Sequence, residues 1–241
     1  MLNSVNELRS FRIDARDGRV GVLDDVYFDD DTWKVRYLVA DTGGWLAGRR
    51  VLIAPAAIMM IDPVIRQLRV DLGRKQIEDS PGVEAHKPVS RQHEADLAAY
   101  YGWPCYWNVD VSGIGPGLFT PPDFPESALP ASPNASADSH LRSAKELVGY
   151  HIHATDGRVG HAEDFLVDGE DWQIRHIVAD TRNWLPGRRV LISPRTVTGI
   201  DWADKEITVD MARQAIKDSP TYDPATFLVS QRHEEVAVSE K

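Results

Sequence analysis

The chain has a single cysteine among its 241 residues, Cys105, and this scarcity excludes two kinds of site. One thiol cannot form an internal disulfide, and it cannot supply the thiolate cluster of a structural zinc site. The apolar runs are short, well below the roughly 20 residues that span a bilayer. The N-terminal residues lack the basic start and apolar core of a secretory signal. These features predict a cytoplasmic protein without a transmembrane segment.

Positive charge is also scarce. Lys and Arg number 27 against 37 Asp and Glu, which gives a formal net charge of −10 at pH 7. An acidic surface repels phosphate backbones, and no basic stripe in the sequence offsets that repulsion. Direct binding to nucleic acid is therefore not expected.

Catalytic motifs are missing as well. His93 and Glu94 are not followed by the second histidine of a zinc-protease motif, and no G-x-S-x-G nucleophile motif occurs. Cys105 lies in an aromatic run with no base that the sequence identifies. We therefore expect no enzyme activity, no catalytic residue and no cofactor.

Three histidines in the second half are candidate metal ligands. His151 and His153 fall on one face of a predicted strand. Pairing across the following turn is expected to place His161 opposite Ile152, on the other face. On this register the three side chains do not converge, and no metal is expected.

The most prominent feature that is present is an internal repeat. Residues 7–81 match residues 146–220 without a gap, at a constant offset of 139 positions, and nearly half of the residues are identical. Residues 39–53, VADTGGWLAGRRVLI, return as VADTRNWLPGRRVLI at residues 178–192. A long period that occurs twice indicates a duplicated domain rather than a solenoid.

The composition between and after the repeats sets the expected domain boundaries. Residues 1–83 form the first unit and residues 141–222 the second. Residues 84–140 hold a predicted helix, an aromatic segment and a Pro-, Gly- and Ser-rich linker, and residues 223–241 a C-terminal helix or tail. The helix is expected to end at Gly102.

Each copy has the pattern of a mainly β domain with about six short strands. The pairs Asp17-Gly18 and Asp156-Gly157 predict two-residue hairpin turns. In WKVRYLVAD (33–41) the apolar residues alternate, which predicts that Trp33, Val35, Tyr37 and Val39 share one face. We expect two small β-barrels with short helices, each closed around its own apolar interior.

Together, several motifs of the repeat resemble those of a known family. The DG hairpin, the strand from Gly21 to Val26, the W-K-V-R-Y-L-V-A-D strand and the R-R-V-L-I-x-P strand look like the PRC-barrel domain. That fold is named after the cytoplasmic domain of the photosynthetic reaction centre H subunit, and it also forms the C-terminal domain of a ribosome maturation factor. The segment YYGWPCYW (100–107) looks like the aromatic tail of stand-alone bacterial members.

The resemblance implies a binding or scaffolding module, so we expect a non-enzymatic protein-interaction or assembly protein built from two PRC barrels, with an unknown partner. The alternative is a peripheral accessory of a photosynthetic or electron-transfer complex, and a factor for ribosome or RNA maturation is a further one. A small barrel is only marginally stable alone. We therefore predict that the two barrels pack about a pseudo-two-fold axis, as a homodimer would.

Two groups of residues are candidates for binding a partner. The first is the repeated loop, whose members are Trp45, Arg49 and Arg50 with their equivalents Trp184, Arg188 and Arg189. Trp and Arg are enriched in binding hot spots. A structural role is the alternative, in which Asp41 or Asp180 locks the loop through a bidentate hydrogen bond to arginine.

The second group is the aromatic segment, with Tyr100, Tyr101, Trp103, Tyr106 and Trp107 as its candidate contact residues. So many large apolar side chains are not expected to stay exposed on a monomer. The segment either docks on its own barrel or packs against another copy or another protein, and the sequence leaves both possibilities open.

Overall fold

In the computed structural model, the described residues are 1–46, 49–81, 89, 91–105, 141–181 and 188–224. The fold is mainly β, as predicted, with two sheets of seven strands and a few short helices.

The first half is built from short elements that follow one another closely. In chain order they are β1 (Leu2–Ser4), α1 (Val5–Leu8), β2 (Arg12–Ala15), β3 (Gly18–Asp29), β4 (Lys34–Asp41), β5 (Arg50–Ile53), a 3₁₀ helix (Pro55–Ala57), β6 (Ile58–Asp62), β7 (Gln67–Val70), α2 (Arg74–Glu78) and α3 (Arg91–Tyr101). The helix α3 ends at the predicted glycine, because Gly102 takes a positive φ of 71° and the Trp103 amide returns to the Ala98 carbonyl.

The second half repeats the same order. Its elements are β8 (Leu141–Ser143), α4 (Ala144–Leu147), β9 (His151–Ala154), β10 (Gly157–Asp168), β11 (Ile174–Asp180), β12 (Arg189–Ile192), a 3₁₀ helix (Pro194–Thr196), β13 (Val197–Asp201), β14 (Glu206–Val209) and α5 (Arg213–Lys217). The proline at the first position of each 3₁₀ helix has its φ already fixed for a turn.

Six strands of each sheet form one path. The order is β5-β4-β3-β2-β7-β6 in the first sheet and β12-β11-β10-β9-β14-β13 in the second. Among the strand pairs of the described residues, only β2–β7 and β9–β14 are parallel. In each sheet a 3₁₀ helix connects the two strands at the opposite ends of the path. The two ends of the sheet are therefore close together, which is compatible with a barrel.

The seventh strand of each sheet comes from the other half of the chain. β8 pairs with the end of β3, where Tyr27 is opposite Ser143, and β1 pairs with the end of β10, where Leu166 is opposite Ser4. The two exchanges are related by the 139-residue offset of the repeat. A reciprocal set of contacts of this kind is what a two-fold axis produces.

The turns between the long strands also meet at this pseudo-two-fold axis. The amide of Val35 donates to the carbonyl of Trp172, and the amide of Ile174 donates to the carbonyl of Trp33, both at 2.9 Å. Trp33 and Trp172 have positive φ values of 58° and 59°, which are unfavourable for a tryptophan. The hydrogen bonds across the axis help to hold the two turns in this conformation.

The apolar core is shared between the halves. Phe28 stacks on Trp33 with ring centroids 5.1 Å apart, and both rings contact Phe165 of the other half at 6.2 and 6.5 Å. Phe28 and Phe165 are fully buried, and one cluster of buried residues contains the inner side chains of both sheets. The expectation that each copy closes around its own apolar interior is therefore wrong. The exchanged strands and the aromatic contacts join the two interiors.

Two details of register also differ from prediction. Ala15 pairs with Gly18, so the first hairpin loop consists of the residues before Gly18 and lies one position earlier than predicted. In β4 the register shifts opposite the step from Tyr27 to Phe28. A bulge changes the face on which the following side chains lie. Val35 thus points into the shared core, whereas Tyr37 and Val39 point to the outer face of the sheet.

Candidate functional site

The strand exchange is fixed at each end by a buried aspartate. The Ser143 hydroxyl donates to Asp25 at 2.6 Å, and the Lys145 amide donates to the same carboxylate at 3.0 Å. In the equivalent arrangement, the Ser4 hydroxyl and the Asn6 amide donate to Asp164. Each serine also caps the short helix that follows its strand. The aspartates therefore hold the first turn of the other half in place.

Burial raises the pKa of both carboxyls. Desolvation is the largest effect on Asp25 and Asp164, and it outweighs the hydrogen bonds from serine and backbone amides that lower the pKa. Asp25 is 3% exposed and Asp164 6%, which agrees with desolvation as the largest effect on the pKa. These are structural carboxylates at an internal interface, and we assign them no catalytic role.

The first repeated loop folds back on its own barrel. The guanidinium of Arg49 donates to the carbonyl of Glu78, the last residue of α2, and to the carbonyl of Ser80 just after it. Trp45 is partly buried against the core, and the guanidinium of Arg74 lies 4.4 Å from its ring centroid. The structure thus gives Trp45 and Arg49 contacts within the barrel. Their proposed role in binding a partner stays a prediction.

The second arginine of each loop forms an ion pair within the sheet. Arg50 lies 3.1 Å from Asp24, and Arg189 makes two 2.6 Å hydrogen bonds to Glu163. These carboxylates lie on β3 and β10, and are not the Asp41 or Asp180 that the structural alternative names. The Asp41 carboxylate instead accepts a hydrogen bond from the Gly43 amide at 2.8 Å. The Arg188 carbonyl accepts a hydrogen bond from Thr181. Trp184 lies outside the described residues.

The described part of the aromatic segment docks on the first barrel. Tyr101 and Trp103 stack with centroids 4.1 Å apart, and both pack on an outer cluster that includes Tyr37, Val39 and the fully buried Leu97. This agrees with docking on its own barrel, one of the two possibilities left open by the sequence.

Tyr100 is the more accessible member of the segment. Its side chain is 39% exposed, and its hydroxyl donates to the Gln76 carbonyl at 2.8 Å. Tyr106 and Trp107 lie outside the described residues. Burial raises the pKa of the neighbouring Cys105 thiol, which disfavours the reactive thiolate.

The histidine register differs from the prediction. A bulge between Arg158 and Gly160 shifts the pairing, so that His161 is opposite His151 instead of Ile152. The two histidines therefore share a face, and the expected register is wrong. Even so, no three His, Cys, Asp or Glu side chains in the described ranges are grouped so that they could hold a metal ion.

The sequence reasoning missed the most exposed apolar surface. The hairpin of β6 and β7 carries four of the five large hydrophobic side chains that are exposed in the described part of the chain: Met59, Met60, Val64 and Ile65. We call these four residues the hairpin patch. At the equivalent positions the second half has Thr198, Gly199, Ala203 and Asp204. Comparing the two repeats position by position for exchange of apolar and polar residues would have found the patch.

A groove runs beside the hairpin patch, and its counterpart lies on the other side of the pseudo-two-fold axis. The first has a volume of about 630 Å³ between β6 and the turn at Gly169–Trp172. The second, of about 820 Å³, lies between β13 and the turn at Asp30–Trp33. Their lining residues are related by the repeat. Each groove is therefore formed jointly by both halves.

Comparison with known proteins decides the family of the first half. The family model of the PRC-barrel domain matches residues 4–77. Residues 4–77 form a PRC-barrel domain. The predicted family is thereby confirmed for residues 4–77, and the family model detects no second copy. The second half shares the strand order of the first and nearly half of its residues. No curated protein matches the sequence.

The PRC barrel indicates, at a coarse level, a protein-interaction module. Among the helices of the described residues, none is long and apolar enough to cross a membrane.

Proposed function

We propose that the protein is a non-enzymatic interaction or assembly module in which the two halves form one rigid platform and the hairpin patch contacts a protein partner. The observation that carries this proposal is the concentration of exposed apolar side chains on one hairpin, where Val64 is 81% and Met59 66% exposed. A surface of this kind on a soluble domain usually marks a binding site.

The internal comparison supports a functional reason for the patch. The second hairpin has the same fold and the same place in its sheet, yet it carries small or polar residues at the four positions. The fold itself therefore does not require apolar residues there. Methionine, which is flexible and polarizable, suits a surface that adapts to a partner.

Two alternatives that the family resemblance implies stay proposals. One is a peripheral accessory of a photosynthetic or electron-transfer complex, and the less favoured one is a ribosome or RNA maturation factor. The acidic net charge disfavours direct contact with RNA.

Affinity purification from the native cell tests the proposal. The tagged wild type is compared with the double variant Val64→Ala/Ile65→Asp, which reproduces the residues of the second hairpin, and with Thr198→Ala as a control on that hairpin. We expect the wild type and the control to retain the same proteins, and the double variant to lose at least one of them. If all three retain the same proteins, the hairpin patch is not the binding surface. Reproducible turnover in a hydrolase panel would contradict the non-enzymatic assignment.

A further inference from the structure

The groove beside the hairpin patch and its counterpart beside β13 are lined by different kinds of side chain. In the groove beside β13, Arg142 lies 4.4 Å from the ring centroid of Trp202 and 2.7 Å from Asp30. The repeat places Asn3 and Pro63 at the positions of that arginine and tryptophan. The groove beside β6 is instead lined on the hairpin side by the apolar residues Met59, Met60 and Ile61, and its far side holds Lys34 and the acidic turn residues Glu170 and Asp171.

The hairpin presents its apolar tip on a fixed turn. One carboxylate oxygen of Asp62 accepts hydrogen bonds from the amides of Val64 and Ile65, at 2.9 and 3.2 Å. The carbonyl of Arg66 accepts from the amide of Arg12, which ties the hairpin to β2. A partner that binds here does not have to order the turn first, and the entropic cost of binding is correspondingly smaller.

Two arginines border this apolar surface. Arg66 follows the tip, and Arg69 is opposite Met60 in the pairing of β6 with β7. Both are exposed, and neither forms an ion pair with any residue that the structure describes. The β7 side of the hairpin is therefore positive, whereas Glu170 and Asp171 lie on the far side of the groove, so acidic residues of a partner are favoured next to these arginines.

The form of the partner follows from the strand order. β6 ends the path of its sheet, and β7 is the one strand that pairs with it among the described residues. An open sheet edge is a recurrent site for binding an extended segment, which adds main-chain hydrogen bonds while its alternate side chains enter an adjacent groove. β6 has five residues and spans about 17 Å at 3.3 Å per residue. A segment of comparable length fits along it.

We infer that the groove beside β6 and the hairpin patch bind an extended protein segment of about five residues, with apolar side chains directed into the groove and acidic residues next to Arg66 and Arg69. This inference rests on the proposed function and names the class of partner. A membrane surface is less favoured, because a chain of charge −10 is repelled by anionic lipid and the site is a groove.

The test uses the full chain as bait for a phage library of random peptides, with Val64→Ala/Ile65→Asp as counter-bait. We expect enrichment of peptides in which apolar residues adjoin Asp or Glu. In fluorescence anisotropy, a labelled copy of an enriched peptide should bind the double variant at least about tenfold more weakly than the wild type. Because Ala203 and Asp204 occupy the same turn in the second half, the variant hairpin is expected to fold.

The charge requirement is tested separately. Arg66→Glu/Arg69→Glu should weaken binding of the same peptide by about tenfold, and added salt should reduce the difference between this variant and wild type. Arg195→Glu, which changes an exposed arginine beside the other groove, should leave the affinity within about twofold of wild type. Equal losses for both variants would contradict a specific role for the hairpin arginines.

Other outcomes overturn the inference. These are a library without enrichment, enriched peptides that the double variant still binds, hairpin-dependent binding to phosphatidylserine vesicles, and hairpin-dependent self-association in sedimentation velocity. If the double variant loses native proteins in the purification while the library yields no such peptide, the proposed function stands and the extended-segment inference fails. If no native protein depends on the hairpin, both fail.

Discussion

The hydroxyl of Ser143 lies 2.6 Å from a carboxylate oxygen of Asp25, although 118 residues separate them in the chain. Ser4 and Asp164 repeat the contact on the other side of the pseudo-two-fold axis. Each aspartate thus anchors a strand that comes from the other half. The stability of one barrel depends in this way on side chains of the other.

Replacing Asp25 should destabilise the whole protein. Asp25→Ala leaves the Ser143 hydroxyl and the amides of Val26 and Lys145 without their acceptor, and unsatisfied buried donors cost about 1–3 kcal/mol each. We expect a loss of about 3 kcal/mol in the free energy of unfolding, measured by urea denaturation. As a control, Asp71→Ala removes an exposed ion pair with Arg16 and should cost about 0.5 kcal/mol or less. Similar losses for the two variants would show that the buried site contributes little.

The same aspartates make stability depend on pH in a definite direction. Their folded-state pKa is raised above the ordinary value of 3.8, so the folded state binds more protons than the unfolded state between the two pKa values. Their contribution to stability is complete below 3.8 and is lost as the pH rises through the raised pKa.

Urea titrations between about pH 3.5 and 7 can isolate this contribution. The wild type should lose stability relative to Asp25→Asn/Asp164→Asn as the pH rises from the lower end of that range. The comparison with the double variant cancels carboxyls such as Asp29 and Asp168, whose lowered pKa has the opposite effect. A constant difference across the range would show that the two carboxyls do not titrate differently on folding.

The shared core predicts a single unfolding transition. Differential scanning calorimetry of the full chain should give equal calorimetric and van't Hoff enthalpies, because Phe165 packs on Phe28 and Trp33 of the other half. Phe165→Ala should lower the free energy of unfolding by about 3–5 kcal/mol and keep one transition. Two resolved transitions would mean that the halves unfold independently.

Docking of α3 on the outer face should contribute measurably to stability. Leu97 is fully buried there, so Leu97→Ala should cost about 2–4 kcal/mol in the free energy of unfolding. Tyr100→Ala is the matched control on the same helix. Its side chain is 39% exposed, and we expect its truncation to cost about 1 kcal/mol or less in the same denaturation assay. The opposite order would show that the helix does not dock through Leu97.

A close backbone approach makes one glycine essential to the first barrel. A Cβ on Gly21 would overlap the carbonyl oxygen of Asp41 on the neighbouring strand, and that backbone atom cannot move without breaking the pairing of β3 with β4. Gly21→Ala should therefore cost more than about 3 kcal/mol by thermal or urea denaturation. Gly44→Ala should be nearly neutral, because among the described residues none except its chain neighbours has an atom within 4 Å of the added carbon. A stable Gly21→Ala protein would contradict the close approach of Gly21 to the Asp41 backbone.

The repeat allowed two units with about six strands each to be predicted, because hydrophobic spacing and turn residues act locally, whereas the order of the strands in each sheet was not predicted. The exchange of β1 and β8 was not predictable in that way. Each has three residues, too few to show a pattern, and the choice of partner depends on Asp25 and Asp164, which are far away in the chain. The bulge in β4 was not predictable either, because one extra residue leaves the alternation of the sequence unchanged. Trp33 and Tyr37 alternate in sequence, yet one extra residue places them on opposite faces.

The candidate site was missed because the two repeats were compared for what they share. Trp45 and Arg49 are candidates because both copies have the same residues there, and the structure gives both of them contacts within the barrel. The hairpin patch differs between the copies, at positions such as Val64 and Ala203. Identity within a duplicated chain selects residues that the fold needs, whereas function can lie in the positions that have diverged.

The exchanged strands also determine when the first half can complete its folding during translation. When the first hundred or so residues have left the ribosome, β3 still lacks the strand that will cover its end, since β8 begins at Leu141. The nascent first barrel must wait, with the edge beside Phe28 open, until the linker and the start of the second half have been translated. For this chain the end of folding is therefore coupled to translation of its second half, and a holding chaperone would find its substrate in that interval.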